Sequence, residues 1–112
     1  MLLRIDHITV ELGPMEDEMV IDGIPVRGYF DPTHETIQIA CDQSPANQAD
    51  TLLHEIIHAI WSVRSLPARL SEEQVALWLA SGLASVFKAN PELLVVLSLA
   101  LNNDLPVVGK GG

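Results

Sequence analysis

The spacing of apolar residues changes near Cys41. Before it, apolar and polar residues tend to alternate, which is the period of a strand with one buried face; after it, apolar residues recur every three or four positions, the period of a helix. From Leu3 to Leu12 the β-branched content argues for one strand, with Arg4, Asp6, Ile8, Val10 and Leu12 on one parity and Leu3, Ile5, His7, Thr9 and Glu11 on the other. Gly13-Pro14 breaks that strand, and Glu16-Asp17-Glu18 reads as a solvated loop. Met19 to Ile21 and Ile24 to Tyr29 flank Asp22-Gly23, the strongest short-range hairpin signal in the chain, while Pro25 marks an edge. After a turn over Phe30 to His34, Glu35 to Ala40 alternates cleanly, with Ile37 and Ile39 on one side. Residues 1–42 are therefore expected to form a small antiparallel sheet.

Ser44 followed by Pro45 is a cap and a first-turn proline, and the spacing predicts a helix over about 45–64 before Pro67 forbids continuation. Leu53, Ile56, Ile57, Ile60 and Val63 form its expected core stripe. Ser71-Glu72-Glu73-Gln74 matches a capping box and opens a second helix to about Ala89; Asn90-Pro91 opens a third, which runs through Leu101. That third helix, 91–101, is apolar on nearly every side, so it is either wrapped by its own domain or pressed against a second copy in a homo-oligomer. Residues 43–105 form the helical part and residues 106–112 read as a loose tail. The fold class is α+β.

At 112 residues and 48% hydrophobic content the chain supports one core and so one domain, 1–112. Six Lys and Arg against 15 Asp and Glu give a formal charge of −9, which excludes a protein that tracks a phosphate backbone, so no nucleic acid is expected as a partner. The single cysteine, Cys41, fits a reducing compartment and reads as an inert small hydrophobe. Met1 to Asp6 carries no basic region leading into an apolar run, and no apolar stretch approaches the roughly 18 residues of a membrane span. The expectation is a cytoplasmic protein with no membrane partner.

The chemistry concentrates in His54-Glu55-Ile56-Ile57-His58. Residues four apart on a helix are offset by about 40°, so the two imidazoles converge on one ion, while Glu55 lies about 100° from His54, within reach of a water on that ion. This is the donor set of zinc hydrolysis: His54 and His58 as ligands and Glu55 as general base. Zinc at a catalytic site takes a third protein ligand. The metzincin extension is absent, since Ala59 to Arg64 holds no glycine and no histidine. A carboxylate from the next helix remains, Glu72 or Glu73, each also explained by the helix dipole. Glu73 is preferred narrowly because it shares a face with Ala76, Leu77, Ala80 and Ala84, small enough to let helices approach; Glu72 aligns with Val75, Ala76, Leu79 and Leu83. Glu35 to Ala40 is the candidate edge strand for a peptide or protein substrate. Tyr29, His34 and His7 are the other Tyr and His residues that could donate to a transition state, with surface or packing roles favoured for each, and Trp61 and Trp78 read as packing.

Leu52 to Trp61, preceded by an isoleucine strand and followed by Glu73-Gln74-Val75 and Leu79-Ala80-Ser81-Gly82-Leu83, resembles the small phage-encoded metallopeptidases related to the ImmA/IrrE group of gluzincins over roughly residues 29–94. The resemblance implies a minimal zincin: a short sheet with an edge strand beside the cleft, an active-site helix carrying both histidines and the base, and a second helix carrying a glutamate ligand. Mapped onto this chain it implies His54, His58 and Glu73 as zinc ligands and Glu55 as the base, in a phage or prophage protein acting in a bacterial cytoplasm. The rival reading is a non-catalytic protein, either a binding module whose zinc serves the fold or a phage assembly protein organised by its apolar third helix.

Overall fold

The computed structural model describes residues 1–109; the expected looseness of 110–112 lies outside the described residues. Six short strands precede three helices: β1 (Leu2–Ile5), β2 (Ile8–Pro14), β3 (Met19–Ile21), β4 (Ile24–Val26), β5 (Gly28–Asp31), β6 (Thr36–Ile39), α1 (Pro45–Val63), α2 (Glu72–Ala89) and α3 (Pro91–Leu101). The chain is α+β, as its periodicities predict.

The expected single strand over Leu3 to Leu12 is two strands joined at Asp6-His7, where Asp6 adopts a positive φ of 52° and Ile5 pairs with Ile8. The physical reason is parity: Leu3 and Ile5 are buried on odd positions and Val10 and Leu12 on even ones, so one continuous strand would expose half of them. The four-stranded sheet runs β1-β2-β6-β5, and β2 pairs parallel with β6 while the other neighbours are antiparallel. Glu35 to Ala40 is thus an interior strand, and the edge expected there belongs to β5. β3 and β4 form a separate two-stranded hairpin around Asp22 and Gly23, both at positive φ (52° and 78°).

One face of the sheet presents Leu3, Ile5, Val10, Leu12, Phe30, Ile37 and Ile39 to the helices, with β5 and β6 against α1 and β1 also against α2, while Leu2, Arg4, Thr9 and Glu11 on the other face meet solvent. Helix α1 starts as its sequence dictates, with Ser44 Oγ accepting from the Asn47 N–H at 3.2 Å and Pro45 in the first turn. Its buried residues are Gln48, Ala49, Leu52, Glu55, Ile56, Ala59 and Ile60, a stripe rotated from the expected one: Leu53, Ile57 and Val63 are only half-buried. The capping box of α2 forms in both directions, Gln74 N–H to Ser71 Oγ at 3.2 Å and Ser71 N–H to Gln74 Oε1 at 3.1 Å. Helix α3 buries Leu93, Leu97 and Ala100 and leaves Leu94, Val95 and Leu101 exposed.

Asn90 does not cap α3 with its side chain. That amide is buried and accepts from the Arg4 N–H at 2.8 Å while donating to the Arg4 carbonyl at 2.7 Å and the Val86 carbonyl at 2.8 Å. It pairs with the outer edge of β1 as a neighbouring strand would, tying the α2–α3 junction to the sheet. A second tie joins the β1–β2 turn to the end of α1, where Asp6 receives Arg64 Nε at 2.9 Å and an Arg64 terminal nitrogen at 3.2 Å. The expected tail is docked at its start: Val108 is buried and donates its N–H to Gln48 Oε1 at 3.0 Å. Among the described residues no single helix is long and apolar enough to cross a membrane, and α2 and α3, which together have the length, are bent by 103°.

Replacing Asn90 with Ala removes three hydrogen bonds and orphans two backbone groups, so urea denaturation should show a loss of about 2–4 kcal/mol. The Arg64 guanidinium holds the Asp6 carboxyl below its usual value, so the pair's contribution is present above the unfolded-state Asp value of about 3.9 and is lost as pH falls through the lower folded value. Asp6→Asn should lower the thermal midpoint near neutral pH and flatten its decline below about pH 4.

Candidate metal centre and cleft

The stripe of α1 that packs on the sheet determines how the motif is presented. Residues 52, 55, 56 and 59 face inward, which leaves His54 and His58 exposed along the margin and carries Glu55 under the edge of β5. The two imidazoles meet: His54 Nε2 and His58 Nε2 are 3.1 Å apart, with ring centroids 4.7 Å apart and planes at 72°.

Glu55 is only 6% exposed. Gly28 of β5 lies directly against it: a Cβ at that position would stand 3.1 Å from Glu55 Oε2 and 2.5 Å from the Thr51 methyl. The absence of a side chain there is what lets strand and helix close to this distance. Among the described residues no side-chain nitrogen or oxygen is sealed from water without a hydrogen-bond partner, and Glu55 borders open clefts on both sides.

The larger cleft, about 530 Å³, extends from His54, Glu55 and His58 toward Trp61 and is closed by Phe30, Pro32 and, across from the helix, Ile21 and Val26 of the β3–β4 hairpin. A smaller cleft, about 320 Å³, lies toward the start of α1 among Arg27, Asp50 and Thr51. Both run beside β5. The Arg27 carbonyl accepts from the Ala40 N–H at 2.8 Å, so Arg27 directs its backbone groups toward β6; by antiparallel alternation Gly28 and Phe30 direct theirs outward, to the open edge.

Glu72 and Glu73 are both exposed in the first turn of α2 and neither borders these clefts. Among the described residues no three His, Cys, Asp or Glu side chains stand together as a metal cluster. The face argument that favoured Glu73 does not hold: Ala76, Leu77, Ala80 and Ala84 are exposed, and α2 packs through Val75, Leu79, Gly82, Leu83 and Val86, the face Glu72 shares. Close approach of α1 and α2 comes instead from Gly82, where a Cβ would stand 2.7 Å from the Ile60 side chain. The structure thus brings His54 and His58 together beside Glu55, imidazole donors of the type zinc takes, and does not bring Glu72 or Glu73 to them.

Tyr29 borders the larger cleft, but Gly28 and Phe30 turn their inner face to α1, so the Tyr29 side chain alternates to the opposite face of the sheet. His7 is exposed at the β1–β2 turn, and His34 is exposed and paired through Nδ1 with Asp31 at 2.7 Å. Trp61, expected as packing, borders the cleft; Trp78 is 41% exposed with the Arg64 guanidinium 5.9 Å from its ring centroid. Gly28 carried no signal in the sequence beyond being a glycine between Arg27 and Tyr29, because its role depends on a helix 23 to 27 positions later. Comparison with family models, curated proteins and solved structures gives no match, so the residues themselves carry the functional reading.

Gly28→Ala should cost about 1–3 kcal/mol by overpacking against Thr51 and Glu55. Thr51→Ser removes the methyl group but keeps the hydroxyl that donates to Gln43 Oε1, so the double variant should recover most of the loss in thermal or urea unfolding.

Proposed function

We propose that this chain is a zinc-dependent peptidase acting on an extended segment of a peptide or protein, in the cytoplasm of a bacterial host. The observation that carries the reading is the meeting of the His54 and His58 Nε2 atoms at 3.1 Å beside a buried glutamate, at the edge of an uncovered strand. His54 and His58 would hold the zinc, and the third ligand would come from the first turn of α2, Glu73 or Glu72. Bound there, zinc would acidify a water and polarise the substrate carbonyl. Glu55, packed against Gly28 of β5, would take the proton from that water and pass it to the leaving amine. The outward backbone groups of Gly28 and Phe30 would pair with the substrate and set its register, a strand-addition mode that positions the scissile bond without reading side chains.

Glu55→Gln should bind zinc as the parent does and lose hydrolysis of an unfolded protein substrate by at least about a hundredfold, read by mass spectrometry of cleavage products. His58→Ala should lose zinc itself. Of Glu72→Gln and Glu73→Gln, one should weaken zinc binding by about 10-fold or more; unchanged affinity in both would remove the first turn of α2 from the centre. Parental turnover by Glu55→Gln would refute the mechanism, whereas zinc binding with no cleavage by the parent would favour the metal-stabilised binding module.

A further inference from the structure

The two clefts that flank Glu55 differ in character. Toward the start of α1 the walls are polar, with Arg27, Asp50 and Thr51. Toward Trp61 they are apolar: apart from His54, Glu55 and His58, the side chains bordering the larger cleft include no Lys, Arg or Asp. The far wall there is the β3–β4 hairpin, which is not hydrogen-bonded into the main sheet and leaves Ile21 44% exposed. An apolar side chain held open to water at the rim of a cleft loses that contact with water when a ligand group of like character fills the space.

We infer that Ile21, Val26, Pro32 and Trp61 form a side-chain subsite that selects an apolar residue next to the scissile bond, on the Phe30 side of Glu55. This rests on the peptidase reading for the position of the bond, while the subsite itself is a binding property. The volume, about 530 Å³ shared between backbone and side chain, admits a Leu or Phe. At the end of the cleft away from His54, Glu55 and His58, a charged side chain entering the same space meets no charged lining residue and would be desolvated without compensation. The selected class is therefore an extended peptide with a large apolar residue at one position, a segment that a folded protein buries and an unfolded one exposes.

The test separates binding from turnover by using the zinc-loaded Glu55→Gln protein. Calorimetric titration would use capped heptapeptides of Thr and Ala that differ only at a central guest position, carrying Leu, Phe, Asp or Lys. The Leu and Phe peptides should bind roughly tenfold or more tightly than the Asp and Lys peptides. Ile21→Ser and Trp61→Ala should each erase most of that preference, and Ile24→Ser, on the same hairpin but 66% exposed and away from the cleft, should leave it intact. Circular dichroism of each variant, matching the parent, ensures that a lost preference reports on the subsite. Equal or undetectable binding across the four peptides overturns the subsite, as does a preference that survives both Ile21→Ser and Trp61→Ala. Selective binding of Leu and Phe with no cleavage of any of the four by the zinc-loaded parent supports the subsite and rejects the peptidase reading alone.

Discussion

The seam between α1 and β5 sets the rest of the structure. Leu52, Ile56, Ala59 and Ile60 cannot be buried against the sheet unless the helix comes close to its edge strand, and Gly28 is where the two meet. Once the helix is seated, its 3.6-residue period leaves no freedom for the motif: burying positions 52, 56 and 59 takes position 55 inward and turns 54 and 58 to the margin. Packing thus accounts for a carboxylate at 6% exposure between two clefts.

The helices were legible because their signals are local. Ser44-Pro45 and the Ser71 to Gln74 box state where α1 and α2 begin, and the structure forms both caps with the expected partners. The strands were less so, because pairing partners lie far apart in sequence. That β6 is interior follows from its parallel pairing with β2, some 25 residues earlier, which no local alternation encodes. The switch of burial parity between Ile5 and Val10 was present in the sequence, and it marks the turn at Asp6-His7. Asn90 shows a different limit: its sequence context is a good helix cap, yet its amide has a stronger demand elsewhere, since the Arg4 N–H and carbonyl on the β1 edge are satisfied by it.

For the candidate centre, the juxtaposition of His54 and His58 and the neighbouring position of Glu55 were readable from spacing alone, because one helix carries all three residues. The placement of Glu72 and Glu73 was not, since it depends on which face of α2 turns toward α1. Small residues at 76, 80 and 84 suggested one face; the Gly82–Ile60 contact established the other. A run of alanines is compatible with close packing but does not require it, whereas a glycine whose absent Cβ would stand 2.7 Å from a neighbour does.

Gly28 occupies both sides of the seam. Its inner face lacks the side chain that would displace Glu55 and Thr51, and its backbone groups point to the open edge where a substrate strand would add. Any side chain there therefore changes helix packing, carboxylate position and edge geometry together, and no single measurement on such a variant separates them. Ile21 and Trp61 differ in kind: they line the cleft without holding the helix on the sheet, and neither belongs to the buried core cluster. Under the proposed function, fold and recognition would thus be coupled at the centre of the cleft and separable at its apolar end, so that substitutions at Ile21 or Trp61 would alter selectivity without disturbing how His54, Glu55 and His58 are held.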